Sequence, residues 1–280
     1  MTGTESYIEF TTMIGNGKGG HCVVNCLKYC PQELIVPQYK GDTALTLDSF
    51  KSLLHTVPEG LPVFFSGRSE PFQNQSTIDM IEWAHQQGHP ITIFSTLTGL
   101  TPEHAQRLVK VPITKLVLHL PDAYKNAKIP NHSRQYQESR AIVEDGIENI
   151  EFMSMNKSFV SNQCEGMARE TTTVRRRGRR SCIFLESPGY QVQPNGEVSF
   201  CCMVRGLTEI VGNLNKSTYP ELAAKHPEIS HRLANDPLSI CHRCVVGQKY
   251  WLWKFMKFKE EVFNGRSIMQ VLSNGLLEDR

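Results

Sequence analysis

The chain has 280 residues, 40% of them hydrophobic and 21% charged, and a net charge of +2. That length suits one large domain or one with a smaller companion. The near-balanced charge gives no global field toward nucleic acid or a membrane surface, and the longest apolar runs, such as Leu61–Phe65, are far too short to span a bilayer. Nine cysteines fall largely in two clusters, and the N-terminus carries Glu5 and Glu9 with no apolar signal core. We therefore expect a cytoplasmic protein whose cysteines ligate metal rather than pair as disulfides.

Tyr7–Thr12 mixes β-branched and aromatic residues and predicts a strand. Gly15, Gly17, Gly19 and Gly20 follow, and no helical pattern comes after them within the loop, which argues against a phosphate cradle. The loop then presents Cys22, Cys26 and Cys30, spaced C-x3-C-x3-C. Phe50, Leu53 and Leu54 have helical spacing behind Thr46, a capping candidate. Leu61–Phe65 predicts a buried strand, residues 75–87 a helix and Ile91–Ser95 a strand. Thr101, Pro102 and Glu103 supply a capping hydroxyl, a first-turn proline and an early carboxylate for the next helix. Thr114–Leu120, a helix over 133–146 and Ile150–Met155 continue the alternation. Strands and helices alternating this way predict βα units and a parallel sheet, open or curled into a barrel. Ligands of such sheets bind beyond the carboxyl ends of the strands. That rule puts the cysteine loop, Glu70, Ser95, Thr96 and the His119–Asp122 segment on one rim.

Beyond residue 156 the pattern changes. Cys164 lies in a loop-like stretch, and Arg175–Arg180 holds five arginines, which we read as a solvated loop, with anion or RNA capture as the functional alternative. Tyr190–Gln193 and Glu197–Cys201 flank Pro194-Asn195-Gly196 and predict a β-hairpin. Gly212-Asn213-Leu214 predicts a second turn, and residues 218–234 a helix broken at Pro220 and Pro227. Cys241-His242-Arg243-Cys244 is a C-x2-C knuckle, and 248–264 reads as an aromatic, basic docking helix.

Three thiolates are one fewer than a closed zinc or iron–sulfur site needs, so the first loop either borrows a distant ligand or leaves an iron open. Cys182, Cys201, Cys241 and Cys244, with Cys202 in reserve, form a full set of four by themselves. On local chemistry that set is equally a zinc ribbon or an iron–sulfur site. His21 and His242 neighbour the two sets.

The loop resembles that of the radical S-adenosylmethionine (SAM) enzymes, whose usual signature is C-x3-C-x2-C with an aromatic before the third cysteine. Tyr29 supplies the aromatic, and Leu27, Lys28 and Tyr29 make the second gap one residue longer. Ser66-Gly67-Arg68-Ser69-Glu70-Pro71 resembles the family's Gly-Gly-Glu-type segment, which contacts the SAM amino group. Ser95 and Thr96 lie where relatives contact the ribose or carboxylate of SAM. The run Pro194–Cys202, then Gly212-Asn213-Leu214, then Cys241–Cys244, resembles the SPASM/twitch extension, which carries auxiliary clusters.

The resemblance implies a partial (β/α) barrel with a small C-terminal hairpin and helical domain. The resemblance covers most of residues 7–155 and 180–246, and we divide the chain into 1–160 (core), 161–246 (auxiliary domain) and 247–280 (terminal helix and tail). It implies a 4Fe–4S cluster on Cys22, Cys26 and Cys30, and SAM held by that cluster and by Gly67, Ser69, Glu70, Ser95 and Thr96. It also implies an auxiliary 4Fe–4S cluster on Cys182, Cys201, Cys241 and Cys244. The expected reaction is reductive cleavage of SAM to a 5′-deoxyadenosyl radical that takes hydrogen from a small molecule or peptide. The auxiliary cluster would transfer electrons, and flavodoxin or ferredoxin would supply them. His119, Asp122 and Arg140 are further candidates for contacts to substrate or SAM. The alternatives are a zinc-binding nucleic-acid module and a non-catalytic scaffold of the same fold.

Overall fold

The computed structural model describes residues 6–26, 30, 32–121, 127–154, 177–204, 206–244 and 246–263. Tyr29, Asp122, Cys164, Arg175 and Arg176 lie outside them. Strands β1 (Tyr7–Thr11), β2 (Val63–Ser66), β3 (Ile91–Ser95), β4 (Ile113–Leu120) and β5 (Ile150–Ser154) pair in parallel in that order. Each falls on a predicted apolar run, shifted by two residues at most at either end.

Period-two alternation sorts the two faces of this sheet. Ile8, Phe10, Val63, Phe65, Ile91, Ile93, Leu116 and Leu118 are fully buried on the helix side. Tyr7, Glu9, Phe64, Phe94 and His119 point the other way and line a cavity. Among the covering helices, α1 (Gln32–Ile35) is short, while α2 (Leu47–Leu54) and α3 (Thr77–Gln86) cover β1 and β2. Phe50 packs edge-on against Phe10 and against Trp83, at 4.8 and 6.1 Å between ring centroids. Burying a side chain of that size contributes roughly 1.5–3 kcal/mol. Thr46 accepts from the Ser49 amide and Thr101 from the His104 amide, so both predicted caps form, for α2 and for α4 (Pro102–Leu108). Ser133 caps α5 (Arg134–Gly146) in the same way.

The predicted hairpin forms from β7 (Gly189–Val192) and β8 (Glu197–Ser199), and β9 (Ile210–Asn213) adds to it. Its placement is the unforeseen part. β7 pairs in parallel with β1, so the hairpin extends the core sheet to eight strands in the order β5-β4-β3-β2-β1-β7-β8-β9. Pro220 and Pro227 mark first turns of two helices, α7 (Tyr219–Ala224) and α8 (His226–Asn235), the former opened by a Thr218–Glu221 capping box. A short helix α6 (Ile183–Glu186) follows Cys182.

Arg180 departs from the solvated loop we expect. It sits in β6 (Arg180–Ser181), which pairs with β10 (Gln248–Lys249), and its buried guanidinium donates to the Gly247 carbonyl. Arg179 lies over the Tyr250 ring at 4.0 Å, so this arginine pair anchors the start of α9 (Tyr250–Phe263). Trp251, Leu252, Phe255 and Met256 remain exposed on that helix, and no helix among the described residues is long and apolar enough to cross a membrane.

His226 is buried and stacks on Phe200, with centroids 5.0 Å apart and planes 6° from parallel. Burial holds its imidazole neutral, with the pKa pushed down to about 4. The unfolded chain binds that proton near the ordinary value, so the protein loses stability as pH falls from about 6.5 toward 4. Replacing His226 by phenylalanine keeps the stack and removes the titration. The variant should lose less stability than wild type over this window, by on the order of 1–2 kcal/mol once solvent screening is allowed for, in urea unfolding at each pH.

Candidate functional site

The carboxyl ends of β1 to β4 open into a cavity of about 470 Å³, within the ~300–1,000 Å³ range of small-molecule sites. Cys22, Cys26, Cys30, Gly67, Ser69, Glu70, Ser95, Thr96 and His119 all line it. Arg140 does not. Its guanidinium pairs with Glu144 one turn on, at 2.7 Å, on the helix side of the sheet. A site contact for Arg140 is therefore corrected to a surface i,i+4 pair worth a few tenths of a kcal/mol, ~0.3–0.5.

The cysteine loop is held from several directions. Asn25 adopts the left-handed conformation at φ 43° and its amide donates to the Cys22 carbonyl. The Cys30 amide donates to the Cys26 carbonyl at 3.2 Å. Gln73 accepts from the Val23 amide at 2.8 Å and donates to the Gly15 carbonyl at 2.8 Å. The Glu70 amide points at Cys22 Sγ, 3.5 Å away, a contact that would stabilise a thiolate. Burial, and after it the Glu70 carboxylate, push the Cys22 thiol up, while the backbone N–H groups of Glu70, Val24 and Asn25 pull it back.

Residues 66–74 are stitched to the end of β1. Ser69 donates to the Met13 carbonyl at 2.5 Å, and Asn74 donates to the carbonyls of Thr12 and Leu45, both at 2.8 Å. Gly67 sits at φ 93°, and a Cβ there would lie 2.2 Å from Thr11 Oγ1, so only glycine fits. Glu70 is buried and accepts from Ser95 Oγ at 2.5 Å, the Thr96 amide at 2.8 Å and Thr96 Oγ1 at 2.7 Å. It thus ties the end of β2 to the end of β3. Burial pushes its carboxyl above the usual range, and the hydrogen bonds from Ser95, Thr96 and Phe72 pull it back. Burial also lowers His119 to about 4, so its imidazole is neutral.

Several cavity residues escaped the sequence reading, Phe64 and Phe94 among them. Tyr7 and Glu9 lie on the inner face of β1, and Cys202 follows the hairpin. Period-two alternation marked Tyr7 and Glu9 as sharing a face, but not which face was inner. Cys202, held in reserve as a ligand of the second set, faces this first cavity instead.

Cys182, Cys201, Cys241 and Cys244, each at most 8% exposed, line a separate cavity of about 20 Å³. Its remaining wall is chiefly apolar, from Phe184, Leu185, Phe200, Met203 and Ile240. Gly247 closes it, where a Cβ would lie 2.8 Å from the Cys241 carbonyl. Burial, and the neighbouring thiols after it, push Cys182 up to about 11 and Cys241 higher still. None of the described cysteines is in a disulfide. No three His, Cys, Asp or Glu side chains among the described residues close on a point at single-ion distance. Four converging thiols in an apolar shell fit a thiolate-ligated cluster. His242 is turned away, its Nε2 3.0 Å from the Ala234 carbonyl, and His21 is exposed.

Residues 182–245 match the family model described as SPASM, an iron–sulfur cluster-binding domain. That match falls on the second cysteine set, and the chain as a whole has the fold of solved structures that bind AdoMet, in line with the resemblance stated above. Among solved structures, BtrN in complex with AdoMet and 2-DOIA aligns at a TM-score of 0.59 and 13% identity, over 89% of this chain and 95% of that one. Native anSMEcpe with bound AdoMet and Kp18Cys peptide aligns at 0.55 and 12%, over 96% and 99%. At such identities the likeness is one of fold. No curated protein matches the sequence.

Proposed function

We propose that the protein is a radical SAM enzyme with two 4Fe–4S clusters, one open to SAM and one closed by four cysteines. The observation that carries the reading is the single cavity shared by Cys22, Cys26 and Cys30 and by Gly67, Ser69, Glu70, Ser95 and Thr96. Cys22, Cys26 and Cys30 would hold a cluster one protein ligand short, which leaves it open to SAM. When bound, the cluster supplies the electron that cleaves the sulfonium and yields a 5′-deoxyadenosyl radical. AdoMet in both aligned structures supports that ligand.

The chain's own residues position and shield. Glu70 braces the strand ends that would bear SAM, Gly67 lets the backbone approach closely, and the aromatic inner face excludes water. Cys182, Cys201, Cys241 and Cys244 would hold the auxiliary cluster, whose full ligation suits electron transfer rather than substrate binding. The substrate is a small molecule or a peptide, and flavodoxin or ferredoxin is the reductant. The core spans 1–160, the auxiliary domain 161–246 and the terminal helix and tail 247–280, in the cytoplasm. The test is anaerobic reconstitution with iron and sulfide, reduction, and incubation with SAM. 5′-Deoxyadenosine and methionine should form in equal amounts, and a reconstituted, reduced protein that forms neither would overturn the proposal.

A further inference from the structure

The inner face of the sheet carries an unbroken aromatic row beneath the cysteine loop. Tyr7 stacks on Phe64 with centroids 4.2 Å apart and planes 9° from parallel. Phe64 meets Phe94 at 6.0 Å, and Phe94 meets His119 at 6.4 Å. The row runs from β1 to β4, one ring per strand, and every ring borders the cavity. Beside it, 4% exposed on β1, sits Glu9.

Its carboxylate is only half used. Oε1 accepts from Ser66 Oγ at 2.5 Å and from Gln191 Nε2 at 2.9 Å. Oε2 has no hydrogen bond and is not sealed from the cavity. A buried carboxylate is costly unless it is partnered. The Arg68 guanidinium, itself fully buried, offsets part of that cost electrostatically. The remaining acceptor faces the lumen next to an aromatic surface.

We infer that Glu9 and this row form the substrate subsite. Tyr7 and Phe64 cover each other's faces, so the row turns ring edges to the lumen. The subsite takes a compact aromatic ring whose face meets those edges and whose rim carries a hydroxyl or amine that donates to Glu9 Oε2, since a ring face favours the positive edge of another ring. Burial pushes the Glu9 carboxyl above its usual range, while the hydrogen bonds from Ser66 and Gln191 and the Arg68 charge pull it back. In its ionised form it accepts only, and so selects a donor and repels an acid. A neutral His119 at the far end adds one donor and one acceptor and no charge. The inference rests on the proposed function, because it takes this cavity as the place where substrate meets SAM.

The test uses ¹⁹F NMR of four probes with the full chain: 4-fluorobenzyl alcohol, 4-fluorobenzylamine, 4-fluorobenzoate and 4-fluorotoluene. Wild type should bind the alcohol, the amine or both at least fivefold more tightly than the toluene, and the benzoate most weakly. Glu9→Gln should erase that preference and leave the toluene unchanged. Phe64→Ala should weaken every probe. Loss confined to the alcohol or to the amine identifies which donor the site takes. Equal binding by wild type and Glu9→Gln, or no probe binding to wild type, overturns the inference. Should Glu9→Gln not fold, Glu9→Asp withdraws the carboxylate by one methylene and is read the same way. The same preparations are assayed for 5′-deoxyadenosine without substrate. A wild type that makes none contradicts the proposed function.

Discussion

Replacing Cys26 by alanine should halve the iron of the reconstituted protein, from about eight to about four per chain, and take 5′-deoxyadenosine to the level of a protein-free control. The reason is structural. Four thiols line the larger cavity, and Cys26 is one of the three that the cysteine loop supplies, with Cys22 and Cys30. Cys202 lines the same cavity, and its charged and polar neighbours are Glu9, the Arg68 guanidinium, Tyr7 and Cys244 of the second set. The closed set is untouched, because Cys182, Cys201, Cys241 and Cys244 surround a different cavity. Loss of all iron would mean that the two cysteine sets are not independent. Replacing Cys201 by serine gives the reciprocal result: the open cluster and its EPR signal remain while the auxiliary one is lost or altered.

The second large effect is at Glu70. Its removal leaves the Ser95 hydroxyl, the Thr96 amide and the Thr96 hydroxyl buried without their acceptor. Each such loss costs about 1–3 kcal/mol, so Glu70→Ala should destabilise the protein by about 3–5 kcal/mol in urea unfolding. It should also weaken SAM binding, because the ends of β2 and β3 are no longer fixed relative to each other. Glu70→Gln is the informative companion. Its oxygen can still accept from Ser95, but its amide group then opposes the Thr96 N–H, so about half of the effect should persist. A variant as stable as wild type would show that Glu70 does not brace the site.

Much of this was legible in the sequence for local reasons. Short runs of apolar, β-branched and aromatic residues predicted β1 to β5, and hydroxyls at Thr46 and Thr101 predicted helix starts, because both signals act within a few residues. The two cysteine sets were legible because thiol spacing in loops has few other uses. What escaped depended on long-range pairing. Nothing local says that β7 adds to β1, some 180 residues earlier in the chain, or that Glu9 therefore meets Gln191 across that pair. Cys201 and Cys202 are adjacent in sequence and face different cavities, which spacing alone cannot distinguish. Arg140 was misplaced because the helix pattern fixed its face but not which side of the sheet that face met. Arg180 looked solvated amid a charge run, yet backbone pairing of β6 with β10 draws it inside.

The central claim is that the three-cysteine loop leaves an iron open and that SAM fills it. The most direct measurement is electron–nuclear double resonance on the reduced, reconstituted protein with SAM labelled with ¹⁵N at its amino group. One cluster signal should change when SAM is added and should show coupling to the ¹⁵N nucleus, while the auxiliary signal stays as it was. Clusters that both ignore SAM, with no nitrogen coupling on either, would contradict the account.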